Sequence, residues 1–133
     1  KFLFKPLDLV GLESQLNELS WSWSEQFVQL LGNEEGRDCF PLDYQHAFTP
    51  QQALKDWQDC CKISQDRSLV LQMMPLTSGL AFKIFHKDSP LTLSQLMPIF
   101  DGFGLKALTE QTFKLLNGAG ESVWLHCFIC EGD

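Results

Sequence analysis

The sequence has little positive charge and no long hydrophobic run. Its 133 residues carry ten Lys and Arg against seventeen Asp and Glu, for a formal net charge of -7 at pH 7. Nucleic acids and anionic lipid surfaces would be repelled by this charge, so neither is an expected partner. No apolar stretch approaches the roughly 18–20 residues that a membrane span needs.

The cysteines lack the pattern of a disulfide framework. There are five, an odd number, and Cys60 and Cys61 are adjacent. Domains held by disulfides usually carry an even number of cysteines at regular spacings. The composition therefore favours a reducing compartment, and we expect a cytoplasmic protein. The first residues, KFLFKPLDLVGL, are too interrupted by Lys, Pro and Asp for a signal peptide, and because the chain begins with Lys1 we expect a segment of a longer protein.

Hydrophobic residues make up 44% of the chain, including eleven Phe and four Trp, which is enough for a packed core. Apolar residues recur at steps of three and four from Leu9 to Leu31 and predict one long amphipathic helix that ends at Gly32. This helix could pack on its own domain or dock onto another part of a larger chain. Residues 33–48 predict an irregular, partly helical link held by three aromatic anchors, Phe40, Tyr44 and Phe48.

The remaining residues predict an α+β domain. Thr49 with Gln52, and Thr92 with Gln95, have the spacing of capping boxes that start two helices. Alternating apolar residues predict four strands, over 68–74, 80–87, 105–116 and 121–130. We expect residues 1–48 to form the long helix and link, and residues 49–133 to form the α+β domain.

The predicted order, α-β-β-α-β-β, is that of a ferredoxin-like fold whose first strand has moved to the C-terminus. On this permuted arrangement the last strand takes a central position in a four-stranded antiparallel sheet, next to strand 80–87. Its side chains are apolar on both faces, as expected for a strand that is covered on both sides.

The stretch WLHCFIC contains a C-x-x-C spacing beside a histidine, which could indicate a metal site, a redox pair or a buried strand. Residues three apart on a strand point to opposite faces, so Cys127 and Cys130 cannot both bind one metal without a bulge, and His126 points away from Cys127. Redox C-x-x-C pairs lie at helix N-termini, whereas this pair lies on a predicted strand. We therefore interpret both cysteines as core residues.

The other polar residues do not predict an active site. His46 and His86 are expected to face solvent, and His126 to be hydrogen-bonded or partly covered. Cys60 and Cys61 are expected to pack as small apolar residues, with a reactive thiol pair as the alternative. The segments GFG and NGAG lack the context of a dinucleotide fingerprint. We expect no catalytic, cofactor or metal residues in this chain, and we assign no effector-binding residues.

Four segments in order carry a resemblance to a known family: LSWSWSEQF, DYQHAFTPQQALKDW, LAFKIFHKDSPLTLSQLMPIFDGFGLKALTEQTFKL and VWLHCF. Together they resemble the N-terminal, ACT-like regulatory region of the large bacterial NAD-specific glutamate dehydrogenases. The positions that match the family pattern are Tyr44, Ala47, Phe48, Leu91, Leu93, Ser94, Pro98, Gly104, Leu105 and Glu110. The link around Cys39–Pro41 is shorter and more broken than the family pattern, and the cysteines are not part of it.

The resemblance implies a non-catalytic regulatory and assembly segment of an enzyme that deaminates L-glutamate to 2-oxoglutarate and reduces NAD. The catalytic domain would lie beyond residue 133, and the parent would be a homo-oligomer. ACT domains often bind small amino-acid effectors, so this segment could sense one. The alternatives are a purely structural interdomain or oligomerisation module, and an independent enzyme or metal protein that uses His126, Cys127 and Cys130.

Overall fold

The computed structural model describes residues 22–132 and the side chains of residues 23–131. The first part of the predicted long helix, from Leu9 to Leu19, lies outside these residues. The last part is present as helix α1, Ser22–Leu31. Gly32 follows α1 with a φ of 88°, and its N–H donates to the Val28 carbonyl at 2.8 Å, so the predicted C-terminal end is confirmed.

The predicted link is partly helical and is held by its aromatic residues. Helix α2 spans Leu42–Ala47, and it contributes the buried Tyr44. Phe40 is also buried, and Phe48 packs against the same core. The Trp23 indole N–H donates to the Phe48 carbonyl at 2.8 Å, which joins the end of α2 to α1.

Both predicted capping boxes are present. Helix α3, Pro50–Cys60, begins after Thr49, whose side chain accepts from the Gln52 N–H while the Gln52 side chain accepts from the Thr49 N–H. The second helix of the α+β domain, α4, spans Leu93–Phe103 and begins with the same reciprocal pair, Thr92 and Gln95. Gly104 ends α4 in the left-handed conformation with a φ of 63°.

The four strands form one antiparallel sheet in the order β1-β2-β4-β3. Their bounds are Leu69–Leu76 for β1, Gly79–Lys87 for β2, Leu105–Leu116 for β3 and Ser122–Gly132 for β4. The last strand is therefore central and lies beside β2, as the permuted ferredoxin-like order predicts. The predicted α+β class, with a four-stranded antiparallel sheet and two helices, is confirmed.

The connection between β1 and β2 is shorter than the sequence predicts. A loop is expected from Pro75 to Gly79, but β1 continues through Pro75 to Leu76, and Leu76 pairs with Gly79 across a turn at residues 77–78. Proline cannot donate to a strand ladder, yet β1 is an edge strand with one unpaired side. Pro75 is tolerated because its missing N–H is not needed there.

Each face of the sheet has its own helical layer. On one face, called the α3 face, the cover comes from α1, α2, α3 and the segment before α2. The sheet residues buried there are Val70, Phe85, Phe113, Leu115, Val123 and Leu125. The residues that cover them are Phe27, Phe40, Tyr44, Ala53, Trp57 and Cys60. On the opposite face, called the α4 face, Leu96 and Phe100 cover Phe82, Ile84, Phe128 and Cys130. Strand β4 contributes to both cores, which is why its sequence is apolar in both directions.

The surroundings of Gly79 and Gly102 predict opposite effects of a change to alanine. A Cβ at Gly79 would overlap the Cys130 carbonyl oxygen, whereas a Cβ at Gly102 in α4 meets no atom within 4 Å. We expect Gly79→Ala to lower the free energy of unfolding by about 1–3 kcal/mol, because the sheet backbone cannot yield without breaking its ladder. Gly102→Ala should raise it by about 0.5–1 kcal/mol, because alanine favours the helix. Urea denaturation of both variants checks this, and equal effects would contradict the close approach of Gly79 to the β4 backbone.

Candidate functional site

The α3 face changes from apolar to polar at one row of residues across the sheet. The register places Val70, Phe85, Leu125 and Phe113 side by side in the core. The next row on the same face consists of Gln72, Lys83, Cys127 and Gln111. The row after that consists of Met74, Ala81, Ile129 and Thr109. The polar side chains of the α3 face are therefore concentrated in one row, where the cover by α1, α2 and α3 ends.

A buried carboxylate on α3 binds the first half of this polar row. Asp56 is fully buried, and its Oδ2 accepts from the Lys83 ammonium at 2.8 Å and from the Tyr44 hydroxyl at 2.5 Å. Its Oδ1 accepts from the Gln72 amide at 3.1 Å. Three donors from α2, β1 and β2 thus satisfy one carboxylate, and burial together with the negative charge of Asp56 raises the pKa of Tyr44.

Asp59, one turn further along α3, extends this network toward solvent. It accepts from Gln72 at 2.7 Å and from Lys62 at 2.9 Å, and Lys55 lies 3.6 Å away. Burial alone would raise the pKa of Asp59, but the hydrogen bonds from Gln72 and Lys62 and the nearby lysine charges lower it. No buried side-chain N or O atom within the described part of the chain lacks a hydrogen-bond partner. The network is therefore a closed set of contacts that holds α3 on the sheet.

Beside this network the α3 face carries a small cavity of about 140 Å³. Its floor comes from the polar row and the row after it, and the end of α2 forms a wall. The residues around it are Ala47, Phe48, Ala81, Lys83, Thr109, Gln111, Cys127, Phe128 and Ile129. The Phe48 ring lies 4.1 Å from the Lys83 ammonium, so the cation at this cavity is held by an aromatic face as well as by Asp56.

The α4 face carries a larger groove, of about 500 Å³, between α4 and β3. Leu93, Met97 and Leu108 line it, and each of these side chains is about half exposed or more. Asp101, Lys106 and Glu110 also line it, so the groove carries both signs of charge. Such a surface is suited to contact with another protein segment rather than to chemistry.

The C-x-x-C pair is divided between the two faces, as predicted. Cys127 packs beside the core of the α3 face and Cys130 lies in the core of the α4 face. Burial raises the pKa of Cys127 to about 12 and also raises the pKa of Cys130, so both remain protonated thiols at neutral pH. Within residues 22–132 no three His, Cys, Asp or Glu side chains are placed to hold a metal ion.

The prediction for the adjacent cysteines is half correct. Cys60 is buried in the core, and its thiol donates to the Leu116 carbonyl at 3.6 Å. The prediction that Cys61 packs beside it is wrong: Cys61, at the C-terminal cap of α3, is exposed and lies beside Gly118 in the turn between β3 and β4. Partial burial still raises the pKa of Cys61, so it is not an activated thiol.

The histidines occupy structural or surface positions. His126 is 2% exposed, and its Nε2 accepts from the Leu91 N–H at 3.0 Å, just before the cap of α4. Its Nδ1 therefore carries the proton and faces the Thr112 hydroxyl at 3.3 Å and the Glu110 carboxylate at 3.7 Å. This confirms the prediction of a hydrogen-bonded histidine. Burial lowers the pKa of His126, and Glu110 only partly opposes that effect.

The other two histidines differ from each other. His46 is exposed, as expected, whereas His86 is half-buried and its Nδ1 donates to the Ser89 carbonyl at 2.6 Å. The sequence predicts that His86 faces solvent, and its hydrogen bond to the loop after β2 explains the difference.

The buried ionic network is the feature that the sequence interpretation missed. The alternation of β2 places Lys83 on the face away from Phe82 and Ile84, which is correct, but it does not reveal the buried partner of Lys83. A signal exists, because Asp56 falls on the apolar stripe of α3 together with Ala53, Trp57 and Cys60. A charged residue on such a stripe indicates a buried partner of opposite charge.

Comparison with known proteins relates the sheet and α4 to a protein family. Residues 69–132, which comprise all four strands and α4, match the family model described as glutamate dehydrogenase, ACT3 domain. These residues belong to the ACT3 domain family of glutamate dehydrogenases. The resemblance predicted from the ordered sequence segments is confirmed.

Two curated relatives extend the similarity beyond the ACT3 domain. An NAD-specific glutamate dehydrogenase of Pseudomonas aeruginosa is 31% identical over 92% of the chain, and one of Halomonas elongata is 27% identical over 93%. The chain covers only 8% and 9% of the length of these relatives. Among the described residues of the ACT3 domain and the helices before it, no helix is long and apolar enough to cross a membrane.

The Asp56–Lys83 pair predicts a large effect on stability. Lys83→Met leaves a buried carboxylate without its cation, and we expect the free energy of unfolding to fall by about 3–5 kcal/mol. Lys106→Met removes a cation from an exposed pair with Glu131 and should change it by less than about 0.5 kcal/mol. The double variant Asp56→Asn/Lys83→Met should recover part of the loss, because neither charge then remains buried. Denaturant titration of the three variants checks these values, and an equal cost for both lysines would refute the ranking.

The titration of His126 should lower the free energy of unfolding in mild acid. Its pKa is lowered in the folded state from an ordinary value of 6.5, so below that pH the unfolded chain binds a proton that the folded chain does not. The free energy of unfolding should therefore be highest above the ordinary pKa and fall as the pH drops toward the folded pKa. His126→Gln removes this titration and should flatten the decline between about pH 7 and pH 5. Unfolding curves across this range test it with His46→Gln as the control, which should keep the wild-type slope.

Proposed function

We propose that this chain is a non-catalytic regulatory and assembly segment of an NAD-dependent glutamate dehydrogenase. The observation that carries the proposal is the ACT3 family match over the whole sheet, together with relatives that align along nearly the full chain. The parent reaction converts L-glutamate, NAD and water to 2-oxoglutarate, ammonium and NADH. The chemistry would take place in other domains of the parent chain.

The arrangement of polar groups supports a role without chemistry. Asp56 and Asp59 accept hydrogen bonds from donors of the same chain, and Cys60 and Cys127 are held as protonated thiols by burial. His126 uses its Nε2 lone pair on the Leu91 N–H and is not free to act as a base. The cavity of about 140 Å³ is well below the usual size of a cofactor site, and we propose that NAD binds in the catalytic domain of the parent.

Regulation requires a ligand that binds two states of the parent with different affinities. We infer that a small amino-acid effector is such a ligand. The parent would be a cytoplasmic homo-oligomer whose other domains contact this one. Residues 1–48 would form the connecting helix and link, and residues 49–133 the ACT-like domain. Nucleic acid and membranes are not proposed partners, given the formal charge of -7.

A purely structural module is the second candidate, and the groove between α4 and β3 favours it. Its exposed Leu93, Met97 and Leu108 form an apolar surface that a neighbouring domain or subunit could cover. On this hypothesis the segment holds the parent together and binds no effector.

Experiments on the full-length dehydrogenase that contains this segment distinguish the two candidate functions. NADH formation from L-glutamate would be measured against the concentration of each common amino acid, and the molecular mass would be determined by light scattering. For a regulatory segment, its deletion should abolish the effector response while catalysis persists. A changed mass with an unchanged response would support the structural module, and no change in either quantity would refute both.

A point variant tests the structural role without deletion. Met97→Asp places a charge in the groove, and Leu42→Asp places one at an exposed position on α2, outside the groove. If a neighbour covers the groove, only Met97→Asp should shift the parent toward smaller assemblies.

A further inference from the structure

The cavity on the α3 face is built from a particular alternation of large and small residues. Along the polar row, the small Cys127 lies between Lys83 on β2 and Gln111 on β3. In the next row, the small Ala81 neighbours Ile129, which is 40% exposed. The helical cover ends at Phe48, so the floor between the two long polar side chains is open to a ligand.

The Lys83 ammonium gives the cavity its charge recognition. An ammonium group has three donors, and Asp56 is the hydrogen-bond acceptor that Lys83 reaches among the described residues. Its side chain is only 12% exposed, so its position is fixed by Asp56 and by the Phe48 ring. A carboxylate entering the cavity could accept from the remaining donors as a charge-assisted hydrogen bond.

The opposite side of the cavity carries neutral hydrogen-bonding groups. The Gln111 amide and the Thr109 hydroxyl line it, and neither side chain bonds to another residue of the described chain. Strands β2 and β3 are separated by β4 alone, so Lys83 and Gln111 lie about 10 Å apart at the backbone, two strand spacings. A ligand would therefore need a second polar group at the end that faces β3.

Size and charge restrict the ligand further. A cavity of about 140 Å³ has no room for a nucleotide. One cation, already shared with Asp56, and a chain of net charge -7 disfavour a polyanion.

We propose that this cavity binds a small monocarboxylic acid with a second hydrogen-bonding group, a molecule the size of a free amino acid. The carboxylate would lie on Lys83, and the second group on Gln111 and Thr109. Only the regulatory meaning of this binding rests on the proposed function, because the binding itself is a property of this chain.

The test is titration of the 133-residue chain with glycine, L-alanine, L-serine, L-asparagine and L-glutamine, each beside its primary amide, which lacks the carboxylate. Backbone NMR spectra report the site, and calorimetry gives the Kd. At least one acid should shift the resonances of Lys83, Thr109 and Gln111, and its amide should bind at least about tenfold more weakly, the loss expected for a charge-assisted hydrogen bond. If no acid shifts these resonances, or if acid and amide bind equally well, the proposal is overturned.

Two variants locate the binding. Ala81→Leu fills the floor and leaves the Asp56–Lys83 pair intact, and Asp56→Asn/Lys83→Met removes the cation without leaving a buried charge. Each should weaken binding at least about tenfold while the spectrum remains that of a folded chain. Lys106→Met, an exposed lysine on β3, is the matched control and should leave the Kd unchanged. Unchanged affinity in Ala81→Leu would overturn the assignment of the site.

These results are independent of the experiment on the parent enzyme. If the chain binds none of the acids while the parent loses its effector response on deletion of the segment, the proposed ligand site is refuted and the regulatory function is supported. If the acid binds but deletion changes neither response nor assembly, the site stands and the regulatory function fails.

Discussion

The buried ion pair between Asp56 and Lys83 is the contact on which the arrangement of the α3 face depends. A carboxylate in the core is tolerated only when donors surround it, and here they come from α2, β1 and β2 at once. The pair therefore defines how α3 lies across the sheet, because a shift of the helix by one residue would bury the charge without its partners. It also holds the Lys83 ammonium at the edge of the cavity.

Strand β4 provides the second constraint, since it is covered on both faces. Val123 and Leu125 meet the layer of α1 to α3, while Phe128 and Cys130 meet α4. His126 adds a polar tie between this central strand and the start of α4, through the Leu91 N–H. The two helical layers are thus connected through the strand that the permuted order places in the middle of the sheet.

Burial and mutual hydrogen bonding occupy most of the ionisable groups in the core of the described residues. The thiols of Cys60 and Cys127 are kept protonated by burial, and the buried carboxylates of Asp56 and Asp59 accept hydrogen bonds from donors of the same chain. Among the described residues, Lys83, Thr109 and Gln111 line a small cavity on the α3 face, and a groove with apolar and charged side chains lies on the α4 face. The cavity and the groove are the surfaces on which the proposed ligand binding and domain contact rest.

Local rules were sufficient for the elements and the strand order. Thr49 and Thr92 cap helices because a hydroxyl acceptor three residues before a Gln satisfies free backbone donors, and this depends on neighbouring residues alone. The apolar residues on both faces of β4 similarly required a central strand. Tertiary structure decided the rest. Pro75 lies in a strand because β1 is an edge of the sheet, Cys61 is exposed beside the β3–β4 turn at Gly118, and Asp56 pairs with Lys83, 27 residues away. These outcomes depend on partners distant in sequence, which a local pattern does not contain.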